Sequence, residues 1–253
     1  MSSPKPYRKL RNPTLLFLVS VSLFGLILAV LLAFYPPISQ ENFPWRKPLV
    51  GSTYSVVCVL GILAVFFPKT CSRLFDVGKR DKSQNRFFGF KRNESISCTA
   101  ASALRGHHPL CGRFSAHVFH LGNRIFCATC SGLFLGALIV LVGVTLFFFG
   151  NWQIEQNASL AVLVGAGGVI LGLLQSPLPI LQNSVIRLLS SGFFVVGMFL
   201  ILIGNEELAH STSVDLFFVA LSVFWLLTRI SLSQWNHEQI CSKCTLDSCS
   251  FAE

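Results

Sequence analysis

Six stretches of this chain are apolar for long enough to cross about 30 Å of hydrocarbon at about 1.5 Å per helical residue. They lie near 14–35, 49–67, 127–150, 158–176, 186–204 and 213–231. A backbone exposed to lipid has no water to pair with, so each stretch must close its N–H and C=O groups within a helix. Composition agrees. A soluble domain carries about 25% charged residues, whereas this chain of 253 residues carries 12%, with 52% hydrophobic residues. Those numbers exclude disorder, collagen and coiled coil, and the length excludes a small disulfide scaffold. The expected fold is all-α: a polytopic membrane helix bundle of about six spans with a cytoplasmic Cys/His-rich loop. The first stretch lacks a small-residue cleavage site and is too long for a signal peptide, so it reads as an uncleaved helix. The fourth and fifth flank a short turn, Gln175-Ser176-Pro177-Leu178-Pro179.

Charge sets the orientation. Lys and Arg accumulate on the cytoplasmic side of short loops. The tail holds Lys5, Arg8, Lys9 and Arg11, eleven basic residues run from Lys69 to Arg124, and Arg187, Arg229 and Lys243 follow on the same side. Only Arg46 and Lys47 of the 20 basic residues oppose them. Both termini are therefore expected in the cytoplasm of a multi-pass cell-membrane protein. The chain divides into 1–67 (tail and two spans), 68–126 (basic loop), 127–231 (four spans) and 232–253 (cytoplasmic tail). The net charge of +9 is mostly this topology signal. Its bland partner is the anionic lipid headgroup beside the loop. The basic residues lack the aromatic interleaving of a nucleic-acid platform. Asn157-Ala158-Ser159 is a glycosylation sequon close to a helix end. Trp45, Trp152 and Trp235 read as interfacial anchors. Gly132-x3-Gly136 and Gly168-x3-Gly172 read as helix-packing positions. No Asp, Glu, Lys, Arg or His falls at the centre of any span, which argues against an ion-coupled transporter.

Cysteine and histidine carry the chemistry. Cys58 stands alone in a span and reads as a packing residue. The other eight Cys and five of the six His lie in the two inner segments or where they join a span. Cytoplasmic thiols stay reduced, so a cluster there points to metal or redox work. His108-x2-Cys111 is followed, after fifteen intervening residues, by Cys127-x2-Cys130. A two-residue spacer lets both side chains of a turn reach one ion, and two such turns close a tetrahedron. Thiolate with imidazole favours Zn²⁺ over Mg²⁺ or Ca²⁺. The expected ligands are His108, Cys111, Cys127 and Cys130, with His107 able to replace His108. Residues 113–121 fit a short amphipathic helix, on which His117 and His120 become alternative or supporting ligands. The tail adds His237, Cys241-x2-Cys244 and Cys249, a possible second site or a cap on the first.

The run Cys127-Ala128-Thr129-Cys130-Ser131-Gly132-Leu133-Phe134-Leu135-Gly136 resembles a family of small prokaryotic membrane proteins of unknown function. That family is marked by C-A-x-C-[ST]-G-[IL]-[YF]-x-G at the start of a transmembrane helix. The resemblance spans His107 to Leu138 and implies shared roles for Cys127, Cys130, Gly132 and Gly136. Thr129 stands where the family has Arg. It implies a fold and a site but no activity. A second pattern, Cys130 then Arg187 then His210, is similar to the Cys-Arg-His order of exosortase-type membrane transpeptidases, which implies a membrane cysteine activated by basic neighbours. Charge puts Cys130 and Arg187 inside and His210 outside, so the three would not meet.

The reading that gathers most of these features is a membrane protein with a structural zinc-type site that clamps the inner loop, leaning away from an enzyme and able to dock a cytoplasmic protein. The alternative is a membrane thiol–disulfide oxidoreductase using Cys127 and Cys130, whose place at a helix start favours thiolate.

Overall fold

The computed structural model describes residues 13–37, 43–66, 117–121, 124–150, 152–175 and 183–242. Six helices make up the bundle: α1 Pro13–Phe34, α2 Arg46–Phe66, α3 Ala128–Val144, α4 Ala158–Leu174, α5 Ser184–Ala209 and α6 Thr212–Ser242. A wider turn at Thr145–Phe149 prolongs α3. A short antiparallel hairpin, β1 Val118–Leu121 with β2 Arg124–Cys127, leads directly into α3. Pro13–Phe34, Arg46–Val65, Ala128–Phe149, Ser184–Ala209 and Thr212–Asn236 are long and apolar enough to cross a membrane, while α4 is a shorter apolar helix of 17 residues. The chain is a multi-pass membrane helix bundle.

Each expected span coincides with a helix to within a few residues, and two helices exceed theirs. Helix α5 continues past 204 to Ala209 and takes in Glu206 and Glu207. Helix α6 continues past 231 to Ser242. Hydropathy falls at those points, but no Pro follows in either helix and Gly204 stays within α5, so the backbone ladder outlasts the apolar run. The expected amphipathic helix over 113–121 is corrected where the structure describes it. From Val118 to Leu121 the chain is extended, with Val118 opposite Cys127 and Leu121 opposite Arg124. Val118-Phe119 and Ile125-Phe126 favour a pleated surface, and Gly122-Asn123 between the two runs is a hairpin-turn signal. The helical face that would align His117 with His120 is therefore not formed.

Helix α5 is the axis of the bundle. Over half of its membrane window is buried (56%), against 22% for α1 and for α2. Helices α3 and α4 approach it backbone to backbone. A methyl group at Gly132 would strike the Leu188 carbonyl, and one at Gly165 would lie 2.6 Å from the Gly197 carbonyl. The glycine spacings thus serve packing, as their sequence pattern implies. Around this axis Tyr54, Phe147, Phe194, Phe218 and Trp225 are buried, as is Cys58. Trp45 and Trp152 stand exposed near helix ends, where anchoring residues belong. Helix α1 is tied to α6 by polar contacts: Ser22 Oγ lies 2.8 Å from Thr228 Oγ1, and Trp225 Nε1 donates to the Ser22 carbonyl at 3.1 Å.

The end of the bundle where α2 begins and α5 meets α6 holds a buried ionic cluster. Arg46 donates to Glu206 (2.5 Å) and to Asp215 (3.4 Å), and Lys47 reaches Glu207 (3.1 Å) and Glu206 (3.6 Å). Glu206 and Asp215 are fully buried. His210 caps α5 with a left-handed backbone (φ 45°), and its Nδ1 lies 3.3 Å from Arg46 Nη2. Asp215 and Arg229 are buried inside the bundle. The cluster also accounts for Arg46 and Lys47, the two cations that break the charge pattern: carboxylates on α5 and α6 neutralise them.

Losing one side of such a cluster strands the other in a dry site. Arg46→Met is expected to lower stability by about 3–5 kcal/mol, the scale for an orphaned buried charge. Adding Glu206→Gln should recover part of that loss. Thermal unfolding of both variants in detergent checks the order.

Candidate functional site

At the opposite end, β2 runs into α3 at Cys127, which occupies the capping position of the helix with an extended backbone (φ −76°, ψ 119°). Cys130 lies three residues on. In any helix the capping residue and the third residue of the first turn face one another. The two-residue spacer therefore brings the two thiols close enough for each to act on the other's protonation. Both are free thiols. The amides of Thr129 and Cys130 point toward Cys127 without forming a full capping hydrogen bond. Interaction with Cys130 lowers the Cys127 thiol to about 7; burial opposes this, and the two amides and the Arg187 guanidinium add to it.

Two arginines flank the thiols. Arg187 sits in the first turn of α5, which Asn183 caps by accepting from the Val185 amide at 3.1 Å. Arg229 comes from α6. They are 4% and 5% exposed. Arg187 acts electrostatically on Cys127, and Arg229 on Cys130. Arg229 Nη2 donates to Gln175 Oε1 (2.5 Å) and Ser191 Oγ (2.7 Å), and its guanidinium lies 4.6 Å over the Phe194 ring. Gln175 Nε2 and Ser191 Oγ donate in turn to the Arg187 carbonyl, at 3.3 and 2.5 Å. Arg187 Nη1 lies 3.3 Å from His117 Nδ1. A guanidinium can only donate, so that bond requires Nδ1 without its proton. Among the described side chains, neither arginine has a carboxylate within ion-pair reach.

The site thus gathers Cys127, Cys130, His117, Gln175, Arg187, Ser191 and Arg229. Of the expected metal ligands, Cys127 and Cys130 are brought together. His107, His108, Cys111 and Cys244 lie outside the described residues, as do the side chains of His120 and Cys241. Among the described residues no group of three or more His, Cys, Asp or Glu comes together to hold a metal. His210 caps the far end of α5, about 34 Å along the helix from Arg187 at about 1.5 Å per residue. The separation expected from charge is what the fold shows, and the histidine beside Arg187 is His117.

The sequence marks Arg187 through topology and the Cys-Arg-His order and places Gln175 in the turn between two spans, but it does not single out Arg229 or Ser191 as site residues. Their signal was slight: an arginine near a span end reads equally well as a side chain reaching for the interface. These features define a class, a multi-pass membrane bundle with a dithiol and two buried arginines at one end. Comparison with protein-family models, curated proteins and solved structures finds no match to this chain.

A thiol at about 7 is thiolate above that pH and protonated below it. In chelator-treated protein, alkylation of Cys127 by a small neutral reagent should rise with pH and reach half its plateau near 7. An ordinary cysteine does so near about 8.5. Arg187→Gln should move the midpoint upward. Peptide mass spectrometry across pH measures both.

Proposed function

We propose that this protein is a membrane thiol–disulfide oxidoreductase that cycles Cys127 and Cys130 between dithiol and disulfide. The observation that carries the reading is the meeting of two free thiols at the start of α3, beside two guanidiniums that have no carboxylate partner among the described side chains. Positive charge and the helix start both favour the thiolate, which is the nucleophile in exchange. The Cys127 thiolate attacks one sulfur of a substrate disulfide; a mixed disulfide forms and the first substrate thiolate leaves, taking up the Cys130 proton. The Cys130 thiolate then attacks the Cys127 sulfur, closes the internal disulfide and releases the second substrate thiolate. Two electrons pass to the substrate, and a dithiol donor restores the pair. The basic loop and tails support a cytoplasmic position for this end and for both termini.

The same convergence of sulfurs favours a second reading, a zinc centre completed by His108 and Cys111. Three thiolates and an imidazole around Zn²⁺ leave one net negative charge, which the arginines would balance. Here the centre would clamp the loop rather than react.

Thiol trapping and metal analysis separate the two. On the redox reading, metal-free wild type is alkylated at Cys127 without a chelator. Cys130→Ser then accumulates a mixed disulfide at Cys127, because the resolving thiol is gone. On the zinc reading, purified protein carries stoichiometric zinc. Both thiols are then protected until chelation, and the metal is lost in Cys127→Ser and in Cys130→Ser. Metal-free protein that forms neither mixed nor internal disulfide overturns both.

A further inference from the structure

Two guanidiniums buried together inside a membrane bundle are costly unless negative charge meets them. At the other end of this molecule the rule is kept, since Arg46 and Lys47 face three carboxylates. Around Arg187 and Arg229 the described partners are neutral: a glutamine, a serine, a histidine and a phenyl face. The adjacent thiols supply at most one charge, since two thiolates side by side in a buried site repel one another. Positive charge is left over. Donors are left over as well. Arg187 Nε and Arg229 Nη1 are buried and make no hydrogen bond, and the buried hydroxyls of Ser131 and Ser190, beside Cys130 and Ser191 in sequence, make none either.

We infer that this end of the bundle binds a phosphate-type oxyanion between Arg187 and Arg229, next to the thiol pair. The chemistry fits in three respects. Guanidinium forks match the edges of a tetrahedral oxyanion and bond it in pairs. The unused donors sit on three helices, α3, α5 and α6, and an anion with several acceptor oxygens can serve them together, which a chloride ion cannot do with directional bonds. The held orientation of Arg229, by Gln175, Ser191 and Phe194, means little side-chain freedom is lost on binding. The oxyanion is either free phosphate or the phosphomonoester headgroup of a membrane lipid. This inference stands on charge and donors and is independent of whether the thiols react.

The test uses the full chain purified in detergent. Bound phosphate released by denaturation is assayed, extracted lipids are identified by mass spectrometry, and uptake of radiolabelled inorganic phosphate is measured directly. Stoichiometric inorganic phosphate, or saturable uptake that sulfate competes and chloride does not, assigns the free anion. A retained phosphomonoester lipid assigns the headgroup. Arg187→Gln and Arg229→Gln should each weaken binding by about tenfold or more, the scale of a lost bond to a charged group. Arg187→Lys keeps the charge without the fork, and should retain more binding than Arg187→Gln. Wild-type protein that holds neither species and takes up no phosphate at millimolar concentration overturns the inference, whatever the variants do. So does binding that survives both Gln variants. Thiol trapping scored on the same samples keeps this outcome separate from that of the oxidoreductase reading.

Discussion

The approach of α3 and α4 to α5, backbone against backbone, is the contact on which the rest of the bundle rests. Lipid gives no hydrophobic reward for bringing helices together, so association depends on close van der Waals fit. Glycine provides it here. Gly165 and Gly197 face one another so closely that a methyl group on either would lie 2.6 Å from the other's carbonyl. Gly132 and Gly136 meet α5 at Leu188 and Gly192 in the same way. Because Gly132 lies two residues past Cys130, this packing also fixes the thiol pair against the first turn of α5, where Arg187 is. The site is a consequence of how tightly α3 can lie on its neighbour.

The two ends of α5 then meet opposite electrostatic conditions. Its last turns carry Glu206 and Glu207, which pair with Arg46 and Lys47 from α2, while Asp215 on α6 shares Arg46. The five residues come from three helices, so the cluster joins α2, α5 and α6 at one place. Its first turn carries Arg187, which with Arg229 meets sulfur, amide and hydroxyl instead of carboxylate. Burial raises the free energy of charge at both ends alike. One end offsets it internally. The other holds positive charge beside two free thiols, a setting that favours thiolate.

Much of this was legible in the chain. Apolar runs located the helices, because a lipid-exposed backbone has no alternative to a helix, and small-residue spacing marked the faces that pack. Cys127-x2-Cys130 at a span start was enough to single out the pair. Three features were less visible. Extension of α6 to Ser242 follows from an unbroken backbone after hydropathy falls, which a hydropathy window does not register. The hairpin over Val118–Cys127 competes with a helical spacing of the same apolar residues, and the Gly122-Asn123 turn signal decides it. The burial of Asp215 and Arg229 could not be read from their distance to a span end, since burial is a property of neighbours.

The sequence by itself determined a membrane bundle of helices and a sulfur pair at the start of one of them, because the period and length of apolar segments and a two-residue spacer act locally. Only the tertiary structure decided that Arg187, Arg229, Gln175 and Ser191 surround those sulfurs, and that Arg46 finds Glu206 across 160 residues of chain. Long-range partners are set by which helices pack face to face, and that depends on the fit of whole surfaces rather than on any one segment.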